Sequence, residues 1–303
     1  MHGRRVQGRP ARRTIRTSAH ATVAPAGLSW HQNSARIGAL QDEDNHATGS
    51  RRMRFRLKAF GFHLLGSAVV LTAVLGGLFI GWYQWPGWYL TGVLAVSGML
   101  AGIDLTLGPL LTLLIASPSK PRRELARDIS VIIAAQLAAL VYGATTLWQG
   151  RPLYYTFSAD RLEVVRAFEL VPRPAGVQQP GHPELSPHWW SRPRWVWAPL
   201  PEDAAIAEQV MRSAVAGGAD VVDMPWYFRP WADGLPVLRR TLQSVDSMKS
   251  LSLAQKRHAK ARLEELGYRP DSPITMVMMG RIAPLVAVFD PATGQMRALI
   301  YTE

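Results

Sequence analysis

The chain has 303 residues, a formal net charge of +12 and no cysteine. Without thiols there are no disulfides, zinc–thiolate sites or thiol catalysis. The positive balance would suit nucleic acid if it covered a folded face, but it sits in an N-terminal arm and in one short loop between apolar segments. Charge placed there sets membrane topology, and we exclude nucleic acid as a partner on that ground.

Residues 1–52 read as a disordered basic extension, with Arg4, Arg5, Arg12, Arg13 and Arg16 among small and polar residues and no sustained apolar period. Asp42, Glu43 and Asp44 argue against a transit peptide. Met53 leads through Arg54, Phe55, Arg56, Leu57 and Lys58 straight into an apolar run, so we read it as the native start. Residues 53–150 then predict three transmembrane helices. The first covers about 60–83, longer than a signal-peptide core and with no small-residue cleavage site behind it, which makes it an uncleaved anchor. It runs into Trp82, Tyr83, Trp85, Trp88 and Tyr89 around Pro86 and Gly87, an aromatic turn expected in the headgroup layer. The second span covers about 89–116 and the third about 129–148, each with the roughly 20 residues a bilayer requires. Between them lies a loop with Lys120, Arg122, Arg123 and Arg127. Short basic loops stay in the cytoplasm, and so does the arm holding Arg51, Arg52, Arg54, Arg56 and Lys58. An even number of spans separates the two basic regions. This puts the N-terminus inside and everything after Trp148 outside.

The exterior part, 151–303, reads as a small α+β domain. Strands are expected at 153–157, 162–168, 195–197, 274–279, 284–289 and 295–301, the last two joined by a turn at 290–294. Helices are expected at 202–216, 235–245 and 253–266, and residues 172–193 read as a Pro-rich loop.

Asp104 sits near the middle of the second span. A charge in hydrocarbon is expensive, so Asp104 must face protein or a wet cavity. It serves either as a contact for a partner helix or a proton, or as a hydrogen-bonding group inside the bundle, and the sequence favours the second. It lies twelve residues from Ala116, about 18 Å along a helix. That depth on the third span is the level of Leu140 to Tyr142, which makes the Tyr142 hydroxyl the expected partner. Gln136 lies nearer the basic loop, level with Gly108 and Thr112, where its amide can meet an exposed carbonyl. Pro109 removes a backbone donor, so a kink at Gly108-Pro109 should free the carbonyls of residues 104 and 105. Gly98 and Gly102, with Gly92, Ser97 and Ala101, permit close helix approach. His63 reads as interfacial packing. No metal set, phosphate loop or nucleophile elbow is present in the pattern, so catalytic, cofactor and metal residues are expected to be absent. Six exterior tryptophans (Trp189, Trp190, Trp195, Trp197, Trp226, Trp231) fit partner anchoring and core packing equally well.

Several of these pieces occur together in one order: Phe62 to Ser67, the turn at Trp82 to Pro86, the run Gly102 to Leu113, then Lys120, Leu125, Asp128-Ile129, Gln136 to Gly143 and Arg151 to Tyr154. In that order and spacing the chain resembles the TfpX/TfpZ family of type IV pilin accessory proteins. The resemblance covers about Met53 to Ala167 and the closing segment from Gly280-Arg281 to Gly294. It implies an inner-membrane protein that binds a major type IV pilin and modulates its stability, its assembly, or pilus extension and retraction, without catalysis or cofactor. Gly98, Gly102, Asp104, Gly108, Pro109, Gln136 and Tyr142 become the candidate helix-packing or pilin-contact residues. The alternative is a membrane-anchored envelope enzyme or sensor that acts through its exterior domain.

Overall fold

A computed structural model describes residues 28–174 and 182–302, with side chains from residue 48 onward. The chain divides into two units, Met1–Arg54 and Phe55–Glu303. The first helix, α1, spans Leu28–Gly81. It therefore begins well before Met53, where the sequence suggests disorder through residue 52; residues 1–27 of that extension lie outside the described residues. Once an apolar span has nucleated a helix, each upstream residue adds a hydrogen bond without a new nucleation cost.

Among the described residues, three helical stretches are long and apolar enough to cross a membrane: Thr48–Gly81 in α1, α3 at Val93–Ile115 and α4 at Arg122–Gln149. The 23 residues of α3 measure about 34 Å, enough for a hydrocarbon core of about 30 Å. Phe62, Leu65, Ile80, Met99, Leu114 and Val131 all point outward. Such a surface is an aggregation liability in water and an ordinary one in lipid. The interior is Leu71, Leu78, Val93, Leu100, Leu140 and Leu147, closed at one end by Trp82 and Tyr83. The glycine at 143 lets α3 approach, since a Cβ there would stand 2.7 Å from Leu100 Cδ1. Helix α4 starts seven residues before the expected third span because Pro121 precedes its first turn and Glu124 occupies that turn.

The aromatic turn departs from expectation. Its short helix α2, Gly87–Thr91, does not rest in the open at a headgroup layer. Tyr89 and Leu90 are buried in the sheet domain's core with Tyr155, Phe157, Met276 and Met278. The Arg281 N–H donates to the Leu90 carbonyl at 2.7 Å. Gly92 adopts φ +69°, which ends α2 and lets α3 leave in a new direction. A sheet must cover its apolar face, and here part of the cover is the connection between two candidate spans.

The sheet has seven strands: β1 Pro152–Ser158, β2 Arg161–Arg166, β3 Arg194–Trp197, β4 Arg229–Pro230, β5 Thr275–Met279, β6 Leu285–Phe289 and β7 Met296–Tyr301. Their order is β4-β3-β1-β2-β5-β6-β7, with β1/β3 and β2/β5 parallel and the other pairs antiparallel. Side chains alternate between faces as a period of two demands. Leu285, Ala287 and Phe289 of β6 face α2 and Leu238 of α6 (Trp231–Thr241). Val286 and Val288 face Ala259 and Leu263 of α7 (Leu253–Glu265). Helix α5, Ala204–Val215, starts on Asp203, whose carboxylate accepts from two N–H groups of the first turn. The sixth helix sits four residues earlier than predicted. Gln243 pairs both ways with Thr275, at 3.0 and 3.1 Å, and this pulls the following residues into extended backbone.

Candidate functional site

Asp104, Gly108 and Thr112 are spaced by four on α3 and are all buried, so they form one inward stripe. His63 and Ser67 are likewise one turn apart on α1, and Gln136 comes from α4. The amide of Gln136 lies directly on Gly108, where any Cβ would overlap it. Gln136 Nε2 donates to the Asp104 backbone carbonyl at 2.9 Å and approaches Ser67 Oγ at 3.5 Å. That bond orients the amide and turns its Oε1 to His63 Nε2, 2.6 Å away. His63 must therefore carry its proton on Nε2, and its Nδ1 meets the Thr112 hydroxyl at 2.5 Å. One carbonyl on α3 thus sets a glutamine, a histidine and a threonine in series across three helices. Pro109 loosens the same turn by offering no N–H to the Leu105 carbonyl.

A cavity of about 470 Å³ opens beside this chain of bonds, lined among others by Phe62, His63, Asp104, Thr112, Ile133 and Gln136. The Asp104 side chain is only 3 % exposed. Neither carboxyl oxygen has a hydrogen-bond partner among the described residues. The internal bond that the sequence favoured for this carboxyl is not made. Tyr142 does not supply it; that residue is 76 % exposed. Depth alone put the two together, but Leu140 is the inward residue at that level, and Tyr142 lies about 200° further round α4. Gly98 and Gly102 also stand outside the bundle. A Cβ on either would meet nothing within 4 Å, so they form an open, small-residue face of α3. His63, read from the sequence as interfacial packing, instead bonds Gln136 and Thr112 inside the bundle. It joins Ser67 and Thr112 as a site residue that the sequence reading did not assign, and the four-residue spacing of His63 and Ser67 was the available signal.

At the other end, Tyr83 donates to the Leu147 carbonyl at 2.6 Å and Trp82 Nε1 to the Ser191 carbonyl at 2.7 Å. Arg151 lies over the Trp148 ring at 4.0 Å and donates to the Trp189 carbonyl at 3.0 Å. Burial lowers the pKa of its guanidinium. Trp195, Trp197 and Trp231 pack on the sheet core, while Trp189 and Trp190 stay exposed beside Trp82 and Trp148. Among the described residues no cluster of three His, Asp or Glu could hold a metal ion.

Sequence comparison bears on this arrangement. The chain is 33 % identical over 121 residues to the fimbrial assembly protein of serogroups C1 and C2 from Dichelobacter nodosus, covering 40 % of this chain and 92 % of that relative. The chain belongs to the fimbrial assembly protein family. Two further relatives from the same organism, the fimbrial assembly proteins of serogroups E1 and I, are 33 % and 35 % identical over 121 residues. The chain spans about half the length of these two, 47 % of each, and 40 % of it is matched. No family model matches the chain, and no solved structure matches it.

Proposed function

We propose that this fimbrial assembly protein is a three-span inner-membrane accessory protein of type IV pilus biogenesis, of the TfpX/TfpZ kind, that binds a major pilin and governs its stability or entry into the fibre. The observation that carries this reading is the combination of family membership with a membrane bundle whose polar pocket and small-residue face are left open. The Asp104 carboxyl has no hydrogen bond among the described residues, and Asp104 lines a cavity at the side of the bundle against which a second helix would dock. The N-terminus is cytoplasmic and the sheet domain periplasmic, on the charge of the 51–58 arm and the 117–128 loop. The role is assembly rather than catalysis. Deletion of the gene tests the class of function: pilin still synthesised but surface pili lost is the expected outcome. Unchanged piliation with altered envelope chemistry would replace this reading by an envelope enzyme or sensor.

A further inference from the structure

Three polar side chains near Asp104, those of His63, Gln136 and Thr112, bond one another, and the Ser67 hydroxyl accepts from Gln136 Nε2 at 3.5 Å. His63 engages both ring nitrogens, Gln136 both ends of its amide, and Thr112 its hydroxyl. None of them turns to the Asp104 carboxyl, which lines the cavity with both oxygens unpartnered. A buried carboxyl that receives no donor from its own fold is costly, and a donor brought to it from outside would relieve that cost. The geometry points to the apolar helix of a second membrane protein, carrying a hydrogen-bond donor near the bilayer midplane and placing it on Asp104. This rests on reading α1, α3 and α4 as membrane spans.

Depth and chemistry choose that occupant over lipid. Asp104 is eleven residues from each end of α3, about 16 Å in either direction. Headgroup amines lie beyond those ends, and acyl tails carry no donor. The walls beside the carboxyl, Phe62, Ile133 and Leu137, suit apolar side chains. The volume of about 470 Å³ takes a few side chains rather than a whole helix. The partner therefore lies along the outside of the bundle and inserts side chains. Phe62, 77 % exposed, stands at the mouth.

The test places a photoreactive benzoyl-phenylalanine at position 62 of the full-length chain in native membranes. It compares the unmodified background with Asp104→Asn and Asp104→Leu. The expected product is an adduct with a membrane protein whose apolar helix has a donor side chain near mid-length. Asp104→Leu should lower its yield roughly fivefold or more, the worth of one hydrogen bond. Asp104→Asn, which keeps an acceptor oxygen, should retain much of it. The thermal midpoint of purified Asp104→Leu should hold or rise, because an unpaired buried carboxyl has gone. Adducts with lipid alone, a partner adduct indifferent to Asp104→Leu, or a lowered midpoint for that variant would each overturn the inference. A pilin adduct unaffected by Asp104→Leu would sink the inference and leave the proposed function standing. An Asp104-dependent adduct with a different donor-bearing membrane helix would do the reverse.

Discussion

Gly108 and Gln136 are one unit, because the amide occupies the space a Cβ would need. Gly108→Ala should evict Gln136, strip the donor from the Asp104 carbonyl and leave His63 without its partner. A loss of about 1–3 kcal/mol follows from an abandoned buried bond, read by thermal denaturation in detergent. On a Gln136→Ala background the same Gly108→Ala change should cost much less, since the clash has been removed; equal costs on both backgrounds would refute the coupling. The pairing of Gln136 with a freed carbonyl was legible in the sequence, because helical rise converts residue number into depth. The Asp104–Tyr142 pairing was misjudged because depth fixes height and leaves the direction round the helix open. That direction is set by the stripe of Gln136 and Leu140, which faces inward.

Two elements carry strain-free but decisive contacts of their own. In the turn between β6 and β7, Asp290 accepts from the N–H groups of Ala292 and Thr293 at 2.9 and 3.2 Å and from Arg297 at 2.6 Å. These bonds, Arg297 first, hold its pKa down at about 2, below the ordinary 3.8. A depressed carboxyl pKa gives stability that is fully present above the unfolded value and is lost as pH falls through the folded one. Amide protection in β6 and β7, corrected for the intrinsic exchange rate, should therefore fall between about pH 4 and pH 2 in the wild type, and in Asp290→Asn it should already be low above that window and flatter across it. The second element is α2. Its aromatic content was readable, but neither its helix nor its destination was: the sequence favoured a headgroup-layer turn with the second span beginning at about 89, whereas Gly87–Thr91 form a separate helix and α3 begins at Val93. The structure decides for the core at Tyr89 and Leu90. Leu90→Ala, a change in the connection between two candidate spans, should destabilise the sheet domain by about 2–4 kcal/mol. Proteolysis of the β5–β6 region is the measurement, and an unchanged cleavage rate would contradict the docking of α2.

Across the whole molecule, the three long apolar helices and six of the seven strands were legible because long apolar runs and alternating strands have strong periods; β4, only two residues long at Arg229–Pro230, is too short to show one. What was not legible was their union. Leu90 in the sheet core, Trp82 bonded to the Ser191 carbonyl, and Arg151 stacked on Trp148 join the sheet to the bundle. The Leu90 and Trp82 contacts, and the Arg151 bond to the Trp189 carbonyl, link residues far apart in the chain, and no local period encodes them. The sheet domain is thus mounted on the bundle instead of hanging from a flexible tether, and a helix seated at the Asp104 cavity would be held at a set distance from the sheet. The central claim is that this mounted assembly binds a pilin. Purification of the tagged full-length chain from detergent-solubilised native membranes tests it most directly. The account predicts that the major pilin co-elutes with the wild-type chain; a chain recovered folded and free of pilin from cells that make pilin would contradict it.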